Sequence, residues 1–429
     1  MKFSLENNNK VWIFVVLVAA LISFTFINAY PISILDEAKN AEAAREMLAS
    51  GTYWVPKFNG ELRTDKPPLH YYFMVLGFKL FGTTVLGARF FSALMGFITL
   101  LTTFGFARRY FGNAVAQTTL LILVGSFFFM QEFHLAVPDP YLIAFVTLGL
   151  FSFYHFYVTK KYLYLVLFYF FLALGALSKG PIAIALPGLS VGLFILLQKE
   201  LKNTFRYYPI LGLLGIALIV VPWFWQVHLK TDGLWTQGFF YDHNLSRFSA
   251  PMEGHGGSFL VTWGFVFLGL LPFSFFIPQA FRHAWRERTN PALAFTGCVA
   301  VVFIVFFSIS STKLPNYTMP CYAFITLLLG SFFTKKMDVG FSRWDMVSVL
   351  LLSLLGMALP VVAHVGMQQE ASLISLSRVA FGLVPTAIGT LLGLLFYIRK
   401  KTAAFLLTTT FSWGMLLFIL HGYLYPQLS

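Results

Sequence analysis

Charge is what this sequence has least of. Only 11% of its 429 residues are Asp, Glu, Lys or Arg, against 58% hydrophobic, whereas soluble domains keep about a quarter of their residues charged. Water is therefore not the main solvent. Cysteine is nearly absent too. Cys298 and Cys321 both fall inside apolar runs, which suggests neither a disulfide framework nor a metal cluster. There is no Walker loop, no G-x-G-x-x-G and no H-E-x-x-H, so a nucleotide-driven machine has no support. No long polar stretch is left for a separate soluble domain, and residues 1–429 read as one transmembrane domain. The net charge of +13 is spread in pairs along the chain. Nucleic acid would want a concentrated patch.

Phenylalanine, 51 residues of it, stands where charge is missing. Apolar runs of roughly 20 residues recur, each long enough to cross ~30 Å of hydrocarbon as a helix. They fall at 11–30, 86–107, 114–133, 140–158, 162–177, 182–198, 208–228, 259–280, 292–310, 317–334, 345–364, 378–397 and 403–424. The expected fold class is an all-α membrane protein with about thirteen transmembrane helices. The first run is too long for a signal peptide and no small-residue cleavage site precedes Pro31, so it reads as a retained helix.

The junctions alternate in character. One set carries Lys2, Lys10, Arg108, Arg109, Lys160, Lys161, Lys199, Lys202, Arg206, Arg282, Arg286, Arg288, Lys335, Lys336, Arg343, Arg399, Lys400 and Lys401, more than half of the 30 basic residues. Short loops rich in Lys and Arg face the cytoplasm. The amino terminus is then inside and the carboxyl terminus, after an odd number of spans, outside. Most acids lie on the outer side, among them Asp36, Glu37, Glu42, Asp65, Glu132, Asp139 and Asp242. Acids barely affect orientation, so this skew calls for chemistry on the outer face.

Two outer loops are long, 31–85 and 229–258. In the first, Asp36 to Leu48 is Ala-rich with acids at its start and Gly51 as a stop, which predicts a helix. Its Ala38, Ala41, Met47 and Leu48 are expected on the membrane surface. The stretch Leu69 to Phe81 is apolar but only ~13 residues long, which suits a second interfacial helix better than a span.

Four outer clusters carry candidate chemistry. Asp36-Glu37 follows the first span directly, though an ordinary acidic helix start reads equally well. In Asp65-Lys66-Pro67-Pro68 the prolines fix the backbone, and a lysine held there can meet a phosphate; snorkelling is the plainer alternative. Asp139 lies between two prolines at the mouth of two apolar spans, where an acid is costly unless used or paired. Ser178-Lys179-Gly180-Pro181 and Ser310 to Tyr317, with Lys313, both put a lysine and small polar residues at an outer helix end. The second long loop adds Asp242, His243 and Arg247, and an arginine offers a planar fork to phosphate. The sum is an outer cavity with carboxylates beside cations, flanked by aromatic interfacial surface, which fits anionic lipid-linked substrates.

These segments resemble the bacterial integral-membrane glycosyltransferases of the GT-C type, near the lipid A aminoarabinose transferase and related to protein O-mannosyltransferases. The ordered set carries the likeness: Asp36-Glu37, Asp65-Lys66-Pro67-Pro68-Leu69, Lys79 to Gly82, Ala88-Arg89, Lys179-Gly180-Pro181, Pro222-Trp223, His243 with Arg247-Phe248, and Ser311 to Tyr317. The resemblance implies a GT-C fold in the bacterial inner membrane. It implies a donor sugar on polyprenyl (undecaprenyl) phosphate and an acceptor that is lipid A, another envelope glycan or lipid, or a protein. Asp36 and Asp139 would be the catalytic carboxylates. Lys66, Arg247, Tyr317 and Lys179 would surround the carrier phosphate, and Asp65 with His243 would hold a divalent metal, zinc, magnesium or manganese. Two departures stand out: Asp65 replaces the Glu usual in the aminoarabinose transferases, and the chain ends soon after its last expected span. The expected reaction is a direct, inverting displacement with Asp36 as general base and cations stabilising the leaving phosphate; Glu37 is expected to matter less. A transporter or flippase of lipid-linked sugars is the rival reading, but such proteins show mid-membrane charge and internal repeats, which are not seen here.

Overall fold

The computed structural model describes residues 8–33, 35–246, 256–370 and 373–428. Apolar chain in hydrocarbon must satisfy its own backbone donors and acceptors, which makes helix the default. Helices α1 (Asn8–Phe24), α2 (Asp36–Ser50), α3 (Leu69–Phe81), α4 (Val85–Tyr110), α5 (Asn113–Val124), α6 (Phe127–Phe133), α7 (Asp139–Thr159), α8 (Tyr162–Lys179), α9 (Ile182–Leu197) and α10 (Pro209–Lys230) form the first part. They are followed by α11 (Phe259–Gly269), α12 (Ile277–Arg286), α13 (Pro291–Ile309), α14 (Tyr322–Val339), α15 (Arg343–Gln369), α16 (Val384–Ile398) and α17 (Thr402–Ile419).

The expected thirteen spans are all helical, but not all are spans by length. Among the described residues nine helices are long and apolar enough to cross a membrane, or up to 11 if each of two bent pairs counts once. The run expected at 114–133 bends by 68° between α5 and α6, and that expected at 259–280 turns by 117° before Phe273. Pro272 lies in the second break and has no N–H to continue a helix. The first run stops at Phe24, because Phe26 is left-handed at φ 67. Large apolar side chains such as Leu211, Leu218 and Val361 stay exposed on the outward faces, which is the surface of a multi-pass membrane protein.

The core lies where α4, α7, α13 and α14 meet. Phe106 stacks on Phe151 at 4.1 Å, and Phe151 and Phe295 both pack against Phe324. α7 runs back against α8 and also packs on α4. Above this core sit α2 and α3. The expected membrane face of α2 is only partly right: Glu37, Asn40, Ala43, Ala44 and Met47 are its buried residues. That stripe packs on Tyr71, Met74, Val75 and Phe78 of α3, so protein takes part of the place expected for lipid.

One small sheet escapes the sequence reading. Lys57–Phe58 pairs antiparallel with Glu61–Leu62 across Asn59-Gly60, both at positive φ. Asn-Gly between strands is the strongest short hairpin signal there is, so the sheet was legible. It delivers Arg63 and Asp65 to the site.

Candidate functional site

Two buried arginines organise the end of the bundle that carries α2 and α3. Arg89 of α4 uses all of its donors. Its Nε meets Glu37 Oε1 at 2.7 Å and its Nη2 meets Glu37 Oε2 at 2.9 Å and the Pro31 carbonyl at 2.8 Å. Its Nη1 donates to the carbonyls of Ile27 and Tyr30 at 3.0 and 2.9 Å. Glu37 also accepts from the Ser33 N–H and hydroxyl at 2.7 and 2.9 Å and from the Ala136 N–H at 2.8 Å. Burial alone would raise the Glu37 carboxyl; the Arg89 guanidinium, with the Ser33 and Ala136 amides, overcomes this and holds it below its ordinary value. One carboxylate thus ties the end of α1, the start of α2, α4 and the approach to α7 together. Its neighbour Asp36 is exposed.

Arg63 does the same for the first outer loop. Its Nε donates to Tyr71 Oη at 2.8 Å and its Nη2 to Asn40 Oδ1 at 3.0 Å, with Asp65 Oδ2 at 3.3 Å. Trp235 Nε1 caps the Arg63 carbonyl at 2.7 Å, bringing the second outer loop over the first. The buried Tyr71 hydroxyl is pushed up to about 12, chiefly by burial, partly relieved by Arg63 and reinforced by the charges of Asp65 and Asp36. Asp36 and Asp65 therefore share one electrostatic neighbourhood. His70 beside it is fully buried, and burial together with the charges of Arg63, Lys66 and Lys179 keeps its imidazole neutral, well below its ordinary pKa.

A cavity of about 140 Å³ opens beside this hub, lined by Asp65, Lys66, Lys179, His243, Ser310 and Tyr317 and walled by Leu142, Ile182, Phe239, Phe306 and Phe307. Lys179 ends α8, where the helix carbonyls favour a cation. Gly180 follows at φ 95, and a Cβ there would lie 2.6 Å from the Phe239 ring, so only glycine lets that wall close. Lys179 is ion-paired with Asp139, in the first turn of α7, and sits 5.0 Å from the centroid of the Tyr317 ring. The antiparallel pair α7 and α8 thus brings an acid from one helix start to a cation at the other's end.

Five of the expected residues, Asp65, Lys66, Lys179, His243 and Tyr317, line this one cavity, and Asp139 stands behind Lys179. Lys313 does not line it: its buried ammonium donates to the Ser310 carbonyl and braces the turn leading to Tyr317. Arg247 lies outside the described residues. Asp65 Oδ1 and His243 Nε2 are 3.2 Å apart, but among the described residues no group of three metal-ligating side chains forms. Zinc sites use three or four protein ligands, whereas magnesium and manganese are held by one or two carboxylates with waters and substrate phosphates. Sequence reasoning gave no role to Arg63, Asn40, Arg89 or Glu132. Glu132 is buried in α6 with Oε1 unpartnered among the described residues. An acid in an apolar run was the available signal.

The architecture, a transmembrane bundle capped by two outer helices over a cationic cavity, is the GT-C fold of integral-membrane glycosyltransferases. ArnT from Cupriavidus metallidurans, solved bound to undecaprenyl phosphate, superposes with a TM-score of 0.83 at 24% identity, covering 97% of this chain and 78% of that one. In sequence, residues 65–225 match the family described as dolichyl-phosphate-mannose-protein mannosyltransferase. An undecaprenyl phosphate-alpha-4-amino-4-deoxy-L-arabinose arabinosyl transferase of Aeromonas hydrophila is 30% identical over 77% of this chain and 61% of its own length. That of Pseudomonas aeruginosa is 28% identical over 75% and 60%. The chain is thus similar to GT-C glycosyltransferases in sequence and in fold, and it spans less than two thirds of the length of these curated relatives.

Proposed function

We propose that the chain is a glycosyltransferase that moves a sugar from polyprenyl phosphate to an envelope lipid, glycan or protein on the extracytoplasmic side. The cavity carries this reading: Lys66 and Lys179 face a small space beside carboxylates and apolar walls, which suits a phosphate with a lipid tail. The likeness to arabinosyl transferases that use undecaprenyl phosphate supports the donor class. In the reaction, Asp36 takes the proton from the acceptor hydroxyl, and the freed oxygen forms its bond to the anomeric carbon. The bond from that carbon to the phosphate oxygen breaks with inversion. The electron pair leaves on polyprenyl phosphate, met by Lys66, Lys179, Arg247 and the Tyr317 hydroxyl. Asp139 holds Lys179 in place. A divalent cation held by Asp65 and His243 would add positive charge beside the leaving phosphate.

The test is release of free polyprenyl phosphate from a labelled donor by the purified chain in proteoliposomes, with sugar appearing on an acceptor. Movement of intact donor between leaflets without release would instead make the protein a transporter.

A further inference from the structure

We infer that the groove between α8 and α10 holds one anionic phospholipid, in the leaflet opposite the cavity. Asp139 and Lys179 mark one end of the α7–α8 pair, and Lys160 and Lys161 mark the other, about 30 Å away at 1.5 Å per helical residue. The groove lies toward that second end. It measures about 550 Å³, within the range of roughly 300–1,000 Å³ usual for ligand pockets.

Its construction is specific. Gly212 lets the Tyr169 ring lie flat on α10, since a Cβ there would come within 2.1 Å of the ring, and Tyr169 Oη is anchored to the Tyr207 carbonyl at 2.7 Å. Gly215, one turn on, leaves open space, with nothing within 4 Å of where its Cβ would be. Val166, Phe170 and Leu211 form apolar, outward-facing walls. Acyl chains fit such a slot; polar ligands do not.

The open end changes character. Tyr162 and Tyr208 meet there with ring centroids 5.9 Å apart, the first directly after Lys161 and the second two residues after Arg206 in the chain. Arg206 and Lys161 are exposed, and neither is in an ion pair among the described residues. The nearby carboxylate, Glu200, is engaged by Tyr157 at 3.0 Å, and Lys160 lies over the Tyr157 ring. Two hydroxyls and unpaired cations above an apolar slot match a phosphate headgroup over its chains. The inference requires only that the protein lie in a membrane, so it stands apart from the transferase reading.

The test is native mass spectrometry of the full chain in mild detergent, titrated with phosphatidylglycerol, phosphatidylcholine or polyprenyl phosphate, with folding followed by thermal melting. The wild type should retain one phosphatidylglycerol at least about tenfold more tightly than phosphatidylcholine, as charge-assisted contacts imply. Arg206→Gln should erase that preference. Gly215→Trp, whose Cβ meets no atom within 4 Å, should fill the slot and lose the adduct; Val166→Trp should do the same from the facing helix. Equal retention of the two phospholipids, an adduct unchanged by both tryptophans, stronger retention of polyprenyl phosphate that the tryptophans abolish, or a dimer they disrupt would each overturn the assignment.

Discussion

Asp36 and Glu37 are adjacent in sequence and opposite in physical situation. Glu37 is buried and fully committed to Arg89, Ser33 and Ala136, so it has no capacity to exchange a proton with substrate. Asp36 is exposed at the start of α2, held in position by its neighbour, and free to act as a base. Asp36→Asn keeps the shape and removes the acceptor, so turnover should fall by about 10²–10⁴-fold with donor binding largely kept. Steady-state rates and donor affinity on the purified variant check this; wild-type turnover would shift the role to another carboxylate. Lys66→Ala and Arg247→Ala should lose donor affinity by roughly 10- to 150-fold each, read by binding of labelled donor, with folded yield unchanged.

At the scale of elements, the buried Glu37–Arg89 pair joins four segments, and its loss would leave an arginine uncompensated in the protein interior. Glu37→Gln should therefore cost about 3–5 kcal/mol of stability at neutral pH, which makes it unsuitable as a silent control for Asp36. The pair also sets a pH dependence. Because the folded carboxyl is held below its ordinary value of 4.5, the unfolded chain takes up the proton first on acidification. The stabilisation is fully present above about pH 4.5 and is lost as pH falls through the folded value. Thermal melts from pH 3 to 7 should show the gap between wild type and Glu37→Gln narrowing toward acid. A gap independent of pH would assign the loss to packing.

For the whole molecule, the basic junctions place Arg108, Lys160 and Lys335 on one side and the cavity on the other. A reporter fused near Lys335 should read cytoplasmic and one fused after Ser429 extracytoplasmic. The reverse result would put the acidic cluster and the cavity in the cytoplasm, where the proposed acceptors are absent. The outward apolar faces of α10 and α15 are indifferent to this choice, since both leaflets present hydrocarbon; only the loop charges and the cavity decide it.

The sequence by itself determined the solvent, the class and most of the helices. Paucity of charge and runs of apolar residues act locally, and Leu69–Phe81 was bounded to the residue by Pro68 before it and Gly82 after it. It also singled out Lys66, Asp139 and Lys179 as candidates by their proline- or glycine-marked helix ends, and Lys66 and Lys179 line one cavity. Only the tertiary structure decided which charges are used up in holding the fold. Glu37 and Arg89 are 52 residues apart, and Trp235 reaches Arg63 across 172. Spacing along a chain reports the face a residue occupies, never the partner that packing brings to it. The breaks at Gly125 and Pro272 were likewise settled in three dimensions, since a run of apolar residues tells how much hydrocarbon it can cover but not in which direction it runs.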